Sequence, residues 1–177
     1  MILLEIKELD RDSYKGRKFT ASYTTNGYYD IRREGDGFSI VYLPFGEPVE
    51  KSFDDEFFGE WLDEPVAYGA FEGDLLTGYA EGFLEKWNNR FRLSNICVFD
   101  VEGRRRGVGT LLMEKMTEVA MASGARMIVL ETQSCNEKAI AFYRKHGFVI
   151  IGFDLYSYSN NDPERHEVRI KMGKKLI

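Results

Sequence analysis

Seven consecutive residues, Arg104-Arg105-Arg106-Gly107-Val108-Gly109-Thr110, lie where a predicted strand gives way to a predicted helix, and their types suit an anion. Glycines at 107 and 109 let backbone N–H groups approach a ligand closely and face it in succession. A helix that starts here adds unpaired N–H donors and the positive end of its dipole. The three arginines add charge able to pair with phosphate oxygens. The chemistry these parts suit is pyrophosphate binding. Two other phosphate loops fit worse: no Gly-x-Gly-x-x-Gly follows the first strand of a βαβ unit, and there is no Gly-Lys-Ser/Thr. A basic turn without a ligand has the same residues, so the turn alone does not decide the matter.

A second cluster follows about 20 residues later: Leu130-Glu131-Thr132-Gln133, then Asn136, Ala139, Phe142-Tyr143 and Gly147-Phe148. Steps of three and four residues put Asn136, Ala139 and Tyr143 on one helix face, and the small Ala139 leaves room for a ligand. The Tyr143 phenol is a proton donor, although Phe142 and Tyr143 also suit a core. Glu81 and Glu85 share a side of their strand, and Glu131 ends an apolar run, so each of the three is a candidate proton acceptor. A solvent-facing carboxylate pair is the competing reading of Glu81 and Glu85.

Regular elements have to hold these groups. Patterning predicts a strand over 38–45, stopped by Pro44, Gly46 and Pro48, and a helix over 53–62. Val66 to Phe71, the turn Glu72-Gly73-Asp74 and Leu75 to Trp87 read as a hairpin. Asn88-Asn89 turns the chain into a strand from Arg90 to Val98. Val108, Leu111, Leu112, Met116 and Val119 form one face of a helix over 108–122, closed by Ser123-Gly124. Met127 to Leu130 suits a strand buried on both faces. A helix over 137–146 is capped by Asn136 and stopped by Gly147. Strands over 148–153 and 167–172 end the chain, and the first third reads as less regular. The order of elements predicts a mixed α/β sheet.

The 177 residues, 44% hydrophobic and 30% charged with four prolines, exclude a disordered or low-complexity chain and predict one domain, 1–177. The net charge of −5 argues against a nucleic-acid partner. Met1 to Asp10 has no long apolar stretch, and no run approaches the roughly 18 residues that span a bilayer, so neither a signal peptide nor a membrane partner is expected. Cys97 and Cys135, with His146 and His166, make no zinc spacing, so no metal is expected and a reducing, cytoplasmic setting is. Charge is uneven: Glu47 to Glu64 holds eight acids against Lys51, leaving the other residues at +2. That stretch reads as a solvated helix face or as a field for a cationic substrate.

Arg104-x-x-Gly107-x-Gly109 followed by Asn136-x-x-Ala139-x-x-Phe142-Tyr143-x-x-x-Gly147-Phe148 resembles the GCN5-related N-acetyltransferases, the GNAT superfamily, over roughly Leu75 to Phe153. Lys86-Trp87-Asn88, Asn95-Ile96-Cys97-Val98, the Leu130 to Gln133 segment and Ile151-Gly152 are similar, more narrowly, to the streptothricin acetyltransferase group, which acetylates an amine of an aminoglycoside-like antibiotic bearing a β-lysine. The resemblance implies an α/β (α+β) fold: a mixed, splayed, mostly antiparallel sheet of six to seven strands flanked by helices. It also implies that acetyl-coenzyme A lies between the strand ending at Val98 and the strand Met127 to Leu130. Backbone groups of Ile96, Cys97 and Val98 would pair with the pantetheine arm, and Arg104, Arg105, Arg106, Gly107, Val108, Gly109 and Thr110 would take the pyrophosphate. Asn136, Ala139 and Phe142 would contact the cofactor, with Tyr143 beside its sulfur. The sequence departs from many relatives in having Ser94-Asn95 for Glu-Asp, Arg105 for a common glycine, and one extra residue between Val98 and Arg104.

The implied reaction is attack of a neutral amine on a thioester. Tyr143 is then the general acid, and the base is Glu81, Glu85 or Glu131. Glu85, Trp87 and Glu131 are the candidates on the acceptor side. The expected partners are acetyl-coenzyme A and a small cationic amine, either a streptothricin-like antibiotic or a polyamine, bound by a monomer or homodimer. A protein amine as acceptor, or an acetyl-coenzyme A sensor without turnover, are the alternatives.

Overall fold

The computed structural model describes residues 3–99 and 106–177. Seven strands form a mixed, mostly antiparallel sheet in the order β1-β4-β5-β6-β7-β9-β8, and β2 and β3 form a two-stranded sheet. The strands are β1 (Leu4–Glu8), β2 (Lys18–Glu34), β3 (Gly37–Glu56), β4 (Val66–Glu72), β5 (Leu75–Glu85), β6 (Arg90–Val98), β7 (Met127–Gln133), β8 (Val149–Asp154) and β9 (Arg169–Lys175). The helices are α1 (Arg11–Tyr14), a single turn, α2 (Val108–Ala122) and α3 (Glu137–Lys145). The chain divides into two compact units: 1–21, 54–129 and 175–177 make the first, and 22–53 with 130–174 make the second.

The first unit is built on the antiparallel succession β1, β4, β5 and β6, followed by the parallel start of β7. Parallel neighbours need a crossover, and α2 supplies it between β6 and β7. Its buried residues are Val108, Leu112, Met113, Met116 and Ala120, a stripe rotated from the predicted one, since Leu111 is exposed. The helix closes on β5 at Gly78, where a β-carbon would come within 2.8 Å of the Cys97 carbonyl and 3.1 Å of Val108. The opposite face of β5 carries Tyr79 and Glu81. There Tyr79 joins Leu9, Ala21, Phe57, Phe58, Ala67 and Cys97 in an aromatic-rich core, with Phe57 and Tyr79 ring centroids 4.3 Å apart. Between β5 and β6 the register slips, Glu81 opposing Asn95 and Gly82 opposing Leu93, so Ser94 is the extra residue of a β-bulge.

The second unit holds most of the β2–β3 ribbon, the end of β7, α3, β8 and nearly all of β9. Here the sequence reading needs correction. The predicted strand over 38–45 extends to Glu56, and the predicted helix over 53–62 does not form. Its first four residues complete β3 and its remainder is turns, the first of them held by Gly16 N–H on the Phe57 carbonyl and Phe57 N–H on the Arg17 carbonyl. Pairing with β2 outweighs the helical spacing of Phe53, Phe57 and Trp61. Pro44 and Pro48 are tolerated because a strand in a two-stranded ribbon has one unpaired side. The ribbon is joined to α3 through Glu137, whose carboxylate accepts the Asn26 N–H (2.7 Å) and the Tyr42 hydroxyl.

Gly78→Ala is expected to cost about 1–3 kcal/mol, because the obstructing atom is backbone that cannot turn aside. Urea unfolding checks this as a lower midpoint with an unchanged m-value.

Candidate active site

In the first unit, Gly107 is the N-cap of α2 with φ of 82°, and no side chain caps this end. A left-handed residue at this point favours glycine, and no β-carbon contact would arise within 4 Å. The first turn carries no acid, so the helix dipole meets an anion there without a competing carboxylate. Val108 is fully buried and turns its side chain toward Gly78, so it has only backbone to offer a ligand. Gly109 and Thr110 continue the first turn. Arg106 is half-exposed and ion-paired at 2.7 Å with Glu72, which anchors it at the end of β4. Arg104 and Arg105 lie outside the described residues. Ile96, Cys97 and Val98 end β6 opposite Ala80, Tyr79 and Gly78.

Glu81 departs most from its expected surroundings. It is 1% exposed, not solvent-facing. One carboxylate oxygen accepts the Phe58 N–H at 2.7 Å, and the other has only a 3.5 Å contact with the Ser94 hydroxyl. Burial pushes its carboxyl up to about 7; Asp55 adds to that rise, while the Phe58 and Ser94 hydrogen bonds oppose it. Asp55 accepts the Asn95 side-chain N–H at 2.9 Å. Asn95 thus bonds Asp55, from the end of β3, while the Ser94 hydroxyl donates to the Glu81 main-chain carbonyl at 3.0 Å and lies 3.5 Å from its carboxylate. Tyr79 is fully buried and its hydroxyl oxygen has no hydrogen-bond partner. A cleft of about 360 Å³ lined by Glu8, Leu9, Asp10, Arg11, Phe58, Pro65, Val66 and Ala67 adjoins this group, and Ala67 directly opposes Glu81 across β4 and β5.

Glu85 shares the Glu81 side of β5 but is ion-paired with Arg90 (3.1 Å) and Arg92 (2.6 Å). Burial raises its carboxyl, yet the hydrogen bonds from Asn88, Arg92 and Arg90 outweigh that and hold it below the ordinary value. Such a carboxylate binds cations and is a poor proton acceptor at neutral pH. Trp87 is 85% exposed in the turn beyond β5, whose end at Glu85 is already about 13 Å of strand from Glu81.

In the second unit, the Asn136 side chain caps α3 by accepting the Ala139 N–H at 3.3 Å. Ala139 and Phe142 are half-buried, while Tyr143 is 8% exposed and packs near Phe148 and Phe142. Glu131 faces Arg169 at 3.3 Å and Lys171 at 4.0 Å. The sequence reading missed Asp55 and Tyr79. Asp55 was masked by an apolar spacing read as helical. Tyr79 was legible only as the residue two positions before Glu81, on the same side of a strand. Among the described residues, no cluster of His, Cys, Asp and Glu is arranged to hold a metal, and no helix is long and apolar enough to cross a membrane.

A mixed seven-stranded sheet with an uncapped, glycine-led helix after β6 is the frame of an acyl-transfer enzyme. The model of the acetyltransferase (GNAT) family matches residues 6–148, and the chain belongs to that family. It is an N-acetyltransferase with acetyl-coenzyme A as its co-substrate. It is 33% identical over 154 residues to streptothricin acetyltransferase of Streptomyces lavendulae, covering 81% of this chain and 79% of that one. It is 32% identical to streptothricin acetyltransferase A of Bacillus subtilis over 137 residues, 71% of this chain and 73% of that one. The crystal structure of a nourseothricin acetyltransferase superposes with a TM-score of 0.78 at 27% identity, covering 98% of this chain and 99% of the other.

Glu81 makes stability depend on pH. Folded, its carboxyl keeps its proton up to about 7; unfolded, it releases it near 4.5. The folded chain therefore loses stability as pH rises from about 4.5 through 7. Glu81→Gln, neutral throughout, is expected to escape this loss, gaining on the parent by up to about 3 kcal/mol between pH 4.5 and 8. Urea unfolding of both proteins at the two pH values checks it.

Proposed function

We propose that the protein acetylates a primary amine of a cationic small molecule, with a streptothricin-like antibiotic as the acceptor and Glu81 as the general base. The observation that carries this reading is the buried Glu81 carboxyl, whose pKa is pushed up to about 7 on the strand that pairs with β6. An amine is protonated in neutral water and attacks a thioester only after losing that proton. A carboxylate with a raised pKa accepts the proton far more readily than one near 4, and a positioned base is worth about 10² to 10⁴ in rate. Glu85 and Glu131, each beside two cations, suit the binding of charge rather than proton transfer. The Streptomyces lavendulae and Bacillus subtilis relatives, both streptothricin acetyltransferases, support the choice of acceptor.

The remaining roles follow the family resemblance. The backbone from Gly107 to Thr110, with Arg106, holds the pyrophosphate, and Ile96, Cys97 and Val98 the pantetheine. Asn136, Ala139 and Phe142 contact the cofactor, and Tyr143 protonates the departing thiolate. The reaction takes place in the cytoplasm, in a single domain that needs no metal.

The test is release of free thiol from acetyl-coenzyme A with streptothricin, spermidine and a lysine-containing peptide offered in turn. Release with streptothricin, rising with pH through about 7, is expected; release only with spermidine or only with the peptide transfers the assignment to that acceptor class. Tyr143→Phe is expected to slow transfer about 100-fold while acetyl-coenzyme A still binds, and a rate within threefold of the parent removes Tyr143 from the mechanism. Calorimetry on Gly109→Asp should show acetyl-coenzyme A affinity collapsing while the fold persists, because a carboxylate in the first turn repels pyrophosphate but suits the helix dipole.

A further inference from the structure

Three oxygen-bearing groups in the first unit, Tyr79, Glu81 and Asp55, have no cation among the described residues. Tyr79 and Glu81 are alternate residues of β5 and face the same side. Asp55 approaches from the end of β3 and is tied to β6 through Asn95. Asn95, to which Asp55 is bonded, directly opposes Glu81 across β5 and β6, and the Tyr79 phenol is held well above its ordinary pKa by burial first and then by Glu81, Asp55 and Cys97. Its hydroxyl is fully buried and unpartnered. A buried hydroxyl without a partner is costly to a fold. Removing the oxygen would leave a phenylalanine ring of the same shape among Phe19, Phe57 and Phe99, to which Tyr79 already packs. Packing therefore has no use for the hydroxyl.

We infer that Tyr79 and Asp55 complete, with Glu81, a subsite for the acceptor's reacting primary ammonium, three acceptor groups for its three N–H donors. The inference rests on the acetyl-transfer reading above and adds the groups that hold the amine before Glu81 deprotonates it. One Glu81 oxygen is committed to the Phe58 N–H and the other has only a long contact, which leaves the second for the incoming nitrogen. The Asp55 oxygens each accept one N–H, from Glu56 and Asn95, and each keeps a further lone pair. Three oxygen acceptors suit a primary ammonium better than secondary or tertiary amines, which have fewer N–H groups to offer. The nearest cleft has Phe58 and Ala67, the neighbours of Glu81, in its lining together with Glu8, Asp10 and Arg11.

Tyr79→Phe removes one oxygen and nothing else. With streptothricin as acceptor, its KM and its calorimetric Kd are expected to rise about tenfold, with the change carried by KM rather than kcat. The KM for acetyl-coenzyme A should stay within twofold, and Tm should equal or exceed the parent's, because an unpaired buried hydroxyl has been removed. Asp55→Asn should raise the streptothricin KM in the same way. A streptothricin KM and Kd within twofold of the parent in Tyr79→Phe overturns the subsite, and leaves the acetyl-transfer reading intact if Glu81→Gln still slows transfer. A parent that neither binds nor acetylates streptothricin overturns both.

Discussion

A carboxylate withdrawn from water needs hydrogen bonds or a nearby cation, and Glu81 has no ion-pair partner among the described residues. What it has is a backbone N–H from Phe58 and a distant hydroxyl from Ser94, too little to keep its charge cheaply in place. Much of the first unit is organised around that demand. The turn after β3 is bent so that Phe58 presents its N–H inward, and hydrogen bonds to Gly16 and Arg17 hold the turn there. The bulge at Ser94 brings a hydroxyl toward the same carboxylate and sets Asn95 against Asp55. On the other side of β5 the absence of a side chain at Gly78 admits α2, whose uncapped N-terminus then sits at the end of the adjoining strand. One strand thus separates a surface suited to taking a proton from a helix suited to holding an anion.

The substitution of Ser94-Asn95 for the acids common in relatives looks in the sequence like the loss of a base. In three dimensions two acids lie beside this pair from neighbouring elements: Glu81 opposes Asn95 across β5 and β6, and Asp55 accepts the Asn95 side-chain N–H. Glu85 is the contrasting case. It has the same parity as Glu81, yet two arginines on the facing strand keep it ionised and occupied.

The acidic stretch from Glu47 to Glu64 separates into parts with different duties. Glu50 accepts the Thr24 hydroxyl and Lys51 pairs with Glu167, both in the second unit. Asp54 accepts the Thr20 hydroxyl and Glu64 pairs with Lys86, in the first. Only Asp55 reaches the candidate base. The segment is not a solvated helix face: its first part is strand, Glu64 is paired with a cation, and Glu50, Asp54 and Asp55 accept from neutral hydroxyl or N–H groups.

Period and turn chemistry are local properties, and they determined the hairpin of β4 and β5, the strand β6, both longer helices and the glycine-led turn. Each of these is stabilised by residues close in sequence: Asn136 capping α3, Gly107 opening α2, an apolar stripe every three to four positions. The paired motifs around Gly107 and Tyr143 were sufficient to place the chain in its family for the same reason. Of the ribbon of β2 and β3 only the strand over 38–45 was legible, because the rest is stabilised by a partner strand and not by its own spacing of apolar residues. Nor was the difference in surroundings among three glutamates legible. Glu81, Glu85 and Glu131 are the same side chain on strands; what separates them is burial in one case and adjacent cations in the other two. Those surroundings are assembled from residues distant in the chain, and only the folded structure brings them together.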